Sequence, residues 1–512
     1  MSIEHVFVLM LENRSFDHLL GFSQIQGTDP SGNPTKIDGL TGNESNVSPR
    51  GETIMVSSPA DFISDHGPGH EFKDVKEQLC GKAGTYSSSP PQPGEYDPLI
   101  NNSGYISNFA LYERKNPEAI MKCFSPSQLP VITSLAKEFA VCDRWFSSMP
   151  GPTWPNRFFV HAASSGGLDD SPSFSREFKS IVSEGFKFDN GTVYDLLDNG
   201  KYGWTIYSDD EFPQALSIAG MRANFGKHFR PYKQFKQDLS DPLFSQSYVF
   251  IEPDYHAFTG KFRGGNSQHP MDDVTSGERF VKDVYESIRS SPIWEKSLLI
   301  ITYDEHGGFY DHVVPPGTVN PGDSNIPGNN RNNFDFRQLG VRVPTIIVSP
   351  LVAKGTIDHT TYDHTSVLAT VESLLKLGSL TKRDGTAQTV NHLFKLQSPR
   401  TDAPLKLIEP AVSGYVHKEG EEEKGVQGLI TRLISLFGGE EVDPSLSGFH
   451  HVALLRDLQN SPETEKEKII RRFLGHKQFH AVRYMREIRE KVAATPRTNP
   501  PQKETPVLDK GL

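Results

Sequence analysis

The sequence predicts an α/β protein, a three-layer sandwich in which a mostly parallel central sheet carries helices on both faces. Three observations carry that expectation: short apolar runs rich in β-branched residues, stretches of helical period between them, and polar clusters directly after the runs.

The runs are "HVFVLML" (5–11), "YVFIE" (248–252), "SLLIITYDE" (297–305) and "VPTIIVSP" (343–350). Apolar at consecutive rather than alternate positions, they read as buried parallel strands covered on both faces. Between and after them, "SGERFVKDVYESIRSSPIWEK" (276–296) and "TSVLATVESLLKL" (365–377) have the spacing of helices, the second with Thr365 or Ser366 as its N-cap. Residues 25–105 and 314–333, rich in Gly, Pro, Ser and Asn, read as long irregular excursions.

Ligands of open α/β sheets collect outside the carboxyl ends of the strands, so polar residues that follow the runs converge in space. "ENRSFDH" (12–18) follows the first, "EPDYH" (252–256) ends the second and "DEHGGFYDH" (304–312) ends the third. Glu12, Asn13, Asp304 and Glu305 then form an oxygen-rich set suited to one divalent cation: Ca, Mg or Mn, with Zn tolerated. Taken singly, such a carboxylate is more often a solvated loop residue or a cap; four at strand ends argue for a site. In "SSMPGPTWPNRFF" (147–159), Pro150, Gly151, Pro152 and Pro155 hold the Thr153 hydroxyl in a stiff turn, with Arg157 nearby for electrostatics and as a weaker candidate for binding substrate. An alcohol needs a metal or a base to become a nucleophile at neutral pH, so Thr153 gains meaning only beside the cation set.

Composition narrows the function classes. The 512 residues carry a net charge of −11, which gives nucleic acid no global attraction, and three cysteines supply no disulfide framework. No apolar stretch of about 18 residues occurs, so membrane contact can only be peripheral. Met1 runs almost directly into "IEHVFVLML" without a basic leader, and the chain as written is expected in the cytoplasm.

The expected organisation is a catalytic domain over 1–410, a helical C-terminal extension over 411–494 and a Pro-rich tail over 495–512. In the extension, "KEGEEEKG" (418–425) is a charge run and "VQGLITRLISLFGG" (426–439) an amphipathic helix, expected to pack on the protein's own core, with a membrane interface as the alternative. The basic and acidic residues of 465–491 read as a solvated helix face.

The motifs "LENRSFDH", "DHGPGHEF", "FAVCDRWFSSMPGPTWPNRFFVH", "YVFIEPDYH", "HPMDDVTSGERFV", "LLIITYDEHGGFYDHV", "LGVRVPTIIVSP" and "YDHTSVLATVESLLKL" occur in that order over residues 3–396. Together they closely resemble the phosphoesterase family of non-specific phospholipases C and related acid phosphatases. That resemblance implies an alkaline phosphatase-like fold and a metal held by Glu12, Asn13, Asp304 and Glu305. It also implies that Thr153 is the nucleophile and itself touches the metal. His70 and His269 are implied to contact the phosphoryl group or protonate the leaving alcohol, with His256 and His306 as weaker transfers. Trp154 departs from the His or Gln often found after the family's nucleophile.

The expected reaction is two-step phosphoryl transfer through Thr153 on a phospholipid, releasing diacylglycerol and a phosphorylated head group. The alternative is an acid phosphatase acting on small soluble phosphate monoesters with the same machinery. A lipid-surface binding protein that has lost turnover is the reading from another class, disfavoured by the complete set of ligand-type side chains.

Overall fold

The computed structural model describes residues 2–415 apart from 82–83, 173–184, 211–212, 222–224, 257–261 and 325. The helices expected at 426–439 and 463–492, the charge run at 418–425 and the tail at 495–512 lie outside the described residues. The described strands are β1 (His5–Leu11), β2 (Gln26–Thr28), β3 (Pro34–Lys36), β4 (Ser45–Val47), β5 (Thr53–Met55), β6 (Ala140–Cys142), β7 (Gly203–Ser208), β8 (Phe229–Pro231), β9 (Gln246–Glu252), β10 (Ser297–Tyr303), β11 (Thr345–Val348) and β12 (Thr356–Asp358).

One sheet has the order β3-β2-β12-β6-β11-β10-β1-β9-β7-β8, and β4 and β5 form a separate hairpin. At its centre β1 runs parallel to both β10 and β9, pairing Val6 with Leu298 and with Tyr248. Every residue of β1 and of β10 is buried, as unbroken apolar runs require. Each buried Val, Leu, Ile or Phe there contributes about 1.5–3 kcal/mol.

Side-chain alternation across the paired strands sorts the helices into two layers. Val8 is in register with Phe250, and Val6 with Tyr248; on their face Phe250 meets His161 of the helix Thr153–Ala162, and Tyr248 meets Tyr194 of the helix Val193–Gly200. Phe7 points the other way, its ring centroid 6.1 Å from that of Phe235 in the helix Phe235–Leu239. The helix Val274–Arg289 joins that second layer through the Tyr232–Phe280 contact. A sheet between two helical layers is the three-layer sandwich expected.

Three expectations are corrected. "VPTIIVSP" is a buried strand but not a parallel one: β11 pairs antiparallel with both β10 and β6. The helix Thr365–Leu375 is not capped by Thr365 or Ser366; Asp363 accepts from the Thr365 amide at 2.9 Å, because a carboxylate two residues ahead reaches the first free N–H. The segment 25–105 is not uniformly irregular, since it holds β2 to β5 and the helix Phe72–Cys80, whose Glu71 and Asp74 form a capping box. No described helix is long and apolar enough to cross a membrane.

Candidate active site

Strand direction assembles the site. β1 and β10 are parallel neighbours in register, Leu11 opposite Tyr303, so Glu12–Asn13 and Asp304–Glu305 leave the sheet side by side. Backbone and side chain lock the two turns together. The Asp304 Oδ1 accepts from the amides of Asn13 at 3.0 Å and Glu305 at 2.7 Å, and the Arg14 amide donates to the Glu305 carbonyl at 3.0 Å. Asn13 is left-handed, with φ of 62°, a conformation Asn tolerates better than most residues. Gly307 lets the turns close: a Cβ there would lie 2.2 Å from the Asn13 carbonyl oxygen, and its φ is +65°.

Thr153 opens the helix Thr153–Ala162, so its hydroxyl sits at the positive end of a ten-residue helix. That hydroxyl donates to Asn13 Oδ1 at 3.4 Å, which brings the Pro-bracketed turn onto the strand-end cluster. One turn along the same helix, the buried Arg157 donates from Nε to Asp304 Oδ2 at 2.9 Å, from Nη1 to the Tyr255 hydroxyl at 2.6 Å and from Nη2 to the Leu11 carbonyl at 3.1 Å. Its Nη2 also lies 4.0 Å from Glu12. With its fork spent on these groups, Arg157 holds the carboxylates rather than reaching for a ligand, which differs from the substrate-binding role expected of it.

The arrangement has the marks of a cation site. Glu12, Asp304 and Glu305 are all buried, and Glu12 Oε1 and Glu305 Oε1 have no hydrogen-bond partner among the described residues. Buried oxygens of this kind are costly unless something positive meets them. Burial, with Asp304's charge adding, pushes Glu12 and Glu305 up to about 8, against the opposing pull of Arg157 on Glu12 and of His70 on Glu305. A bound cation reverses that shift.

Glu12, Asn13, His70, Thr153, Arg157 and His269 line one cavity of about 360 Å³. The two histidines differ in which nitrogen they offer. The His70 Nδ1–H donates to the Pro68 carbonyl at 3.0 Å, which leaves Nε2 for a ligand. The Met271 amide donates to His269 Nδ1 at 3.4 Å, leaving Nε2–H as a donor; burial, reinforced by His70 and Arg14, pushes this imidazole well below its ordinary range and keeps it neutral. His306 does not line the cavity. Its Nε2 contacts Gln78 Oε1 at 2.8 Å and burial pushes it down to about 3, so it is a neutral packing residue. His256, beyond β9 at φ of 48°, also does not line it and has Asp254 at 3.7 Å.

Other supporting residues were not assigned to the site from the sequence. His364 accepts from Trp145 Nε1 at 3.4 Å, so its Nε2–H donates to the Asp304 carbonyl at 2.6 Å and fixes the turn from behind. Tyr255, in the quoted "EPDYH", anchors Arg157; adjacency to a strand end was its signal. Gln78 had none, since its helix falls in a stretch read as loop. Asp17, Asp311 and His312 also bring ligand-type atoms together, but Arg342 donates to Asp17 at 3.0 Å and to Asp311 at 2.9 Å, so a guanidinium already neutralises them.

The phosphoesterase family profile matches residues 3–378. Non-specific phospholipase C6 of Arabidopsis thaliana is 38% identical over 86% of this chain and 81% of its own length. Non-specific phospholipase C1 of the same plant is 39% identical over 80% of this chain and 74% of its own. Phospholipase C B of Mycobacterium tuberculosis is 27% identical over 84% and 85%. Among solved structures, an alkaline phosphatase superfamily protein from Vibrio parahaemolyticus overlays with a TM-score of 0.30 at 13% identity, covering 51% of this chain and 65% of that one, too slight an overlap to carry an argument. The profile, which spans the turns that carry Glu12, Thr153 and Asp304, and the relatives lead to one conclusion: the chain belongs to the phosphoesterase family.

Proposed function

We propose that this protein is a phospholipase C-type phosphoesterase, cleaving a phospholipid between glycerol and phosphate through Thr153. The observation that carries the reading is the meeting of the Thr153 hydroxyl with Asn13 at the rim of a buried carboxylate set holding two unpartnered oxygens. The names of the relatives supply the substrate class.

Glu12, Asn13, Asp304, Glu305 and Thr153 would hold one divalent cation; their all-oxygen chemistry fits Ca, Mg or Mn and tolerates Zn. Bound there, such a cation supplies Lewis-acid polarisation of a phosphoryl oxygen and lowers the pKa of a coordinated hydroxyl. Thr153 Oγ1 gives its proton to water and attacks phosphorus in line, the bond to the glycerol oxygen breaks, and that oxygen leaves as an alcohol with a proton delivered through His70 Nε2. The Nε2–H of neutral His269 donates to a phosphoryl oxygen, and the helix N-terminus at Thr153 favours the negative charge. Water then cleaves the phosphothreonine, and head-group phosphate departs. Arg157 and His364 hold Asp304 in place throughout.

Purified wild-type protein and Thr153→Ala should be compared on a phosphatidylcholine dispersion and on a soluble aryl phosphate monoester, with metal content measured on the same samples. We expect diacylglycerol release by the wild type and loss of at least about 10³-fold in Thr153→Ala with the fold retained. Undiminished turnover in the variant overturns the nucleophile; hydrolysis of the monoester alone replaces the phospholipase reading with that of a phosphomonoesterase.

A further inference from the structure

Arg14 and His18 belong to the strand-end cluster after β1, yet neither lines the catalytic cavity. Both line a second cavity of about 800 Å³ that shares Tyr112 with the first. Its buried wall is Arg14, His18, Phe109, Ile120 and Phe309. Arg14, Arg157, Arg342 and Arg383 are the fully buried arginines among the largest buried side chains. The last three each have a carboxylate within 3.0 Å. Arg14 has none within 4 Å among the described residues. It donates instead to the carbonyls of Gln268 at 2.7 Å and His269 at 3.3 Å, and lies over the Phe309 ring at 5.0 Å. The Asp272 carboxylate acts on it only from beyond ion-pair distance.

A guanidinium removed from water without an anion is expensive, and carbonyls with a ring face return only part of that cost. His18 extends the same logic. Its Nδ1 lies 3.4 Å from Arg14 Nη1, which can only donate, so His18 carries its proton on Nε2, and that N–H has no partner among the described residues. The acids at the mouth are partly taken: Asp61 by Lys122 at 3.4 Å, Glu113 by His66 at 3.1 Å. Arg114 and Lys115 add positive charge at the rim beside Asp65.

We propose that the second cavity is a binding site for a phosphate-type oxyanion, held by the Arg14 guanidinium and the His18 Nε2–H. Free inorganic phosphate and the phosphate of an anionic lipid share this chemistry, and the apolar wall of Phe109, Phe309 and Ile120 accommodates the carbon atoms of the second. The site does not rest on the catalytic reading: Tyr112 alone lines both cavities, and the Arg14 side chain meets the catalytic one only through the backbone carbonyl of His269.

Titration calorimetry on the full chain tests it, with inorganic phosphate in one arm and a water-soluble short-chain phosphatidate in the other. His18→Leu replaces the imidazole, whose ring lies 3.7 Å from that of Phe309, by an apolar side chain that still packs on Phe309, and removes the donor. We expect at least one of the two ligands to bind the wild type about tenfold or more tightly than it binds His18→Leu, while turnover of a soluble aryl phosphate is unchanged. A difference with phosphatidate alone assigns the site to lipid; a difference with both shows that the free anion suffices. Equal affinity and stoichiometry in wild type and variant for both ligands overturns the site. Should His18→Leu melt early, Ala119→Phe, which fills the cavity from its rim, decides by the same comparison. Absence of any phosphoester hydrolysis would sink the catalytic reading and leave this binding difference standing.

Discussion

Gly307 shows how a single hydrogen atom holds the site open to chemistry. The residue contributes no ligand, but its missing side chain lets the Asp304–Glu305 turn rest against the Asn13 backbone. Gly307→Ala must push Asn13 away from a contact that now measures 2.2 Å from the virtual Cβ, and must also adopt a strained positive φ. We expect kcat to fall about 10²-fold, with far-UV circular dichroism unchanged; a variant of full activity would show that Asn13 need not stay where it is. At this scale the sequence was legible wherever chemistry follows an apolar run. Glu12, Asn13, Asp304 and Glu305 could be read because a strand end delivers them. His306 belongs to the same cluster, yet the tight turn at Gly307 sends its ring inward to Gln78, which no spacing rule anticipates. His364 acts on a backbone carbonyl, so no partner side chain announced it.

The reversed strand β11 determines what reaches the site edge at the scale of elements. Residues that precede an antiparallel strand lie beside residues that follow its parallel neighbours, so Arg342 enters where Asp17 and Asp311 leave β1 and β10. It bonds to both, and His312 adds contacts of 2.7 Å to Asp17 and 3.3 Å to Asp38. The rule that points to residues after a run could not find Arg342, because the run itself gives no direction. Burial pulls His312 down, but its hydrogen bonds to Asp17 and Asp38 prevail and hold it up at about 10, against 6.5 for an ordinary imidazole. The folded state therefore binds more protons between those values. This stabilisation is complete below about pH 6.5 and is lost as pH rises through 10. Melting midpoints should fall over that window in the wild type and vary less in His312→Asn; superimposable profiles would refute the assignment.

For the whole molecule, the order of layers was legible and the extent of the sheet was not. Long apolar runs marked β1, β9, β10 and β11, whereas β2, β3, β6, β8 and β12 have three residues each, too short to display a period. The same contrast predicts local stability. Amides of β1 and β10, buried at every position, should exchange with deuterium only on global unfolding, and those of the half-exposed β2 and β3, the last two strands at one end of the sheet, should exchange first. Mass spectrometry of labelled peptides would reverse that order if the core lay elsewhere. The common direction of β1 and β10 also has a practical side. His5 and Ser297 pair at the opposite edge of the sheet from Glu12 and Asp304, the length of a seven-residue strand away. A protein tethered to a surface through the residues leading into β1 would stand with its catalytic mouth turned outward, free to meet a lipid bilayer brought up against it.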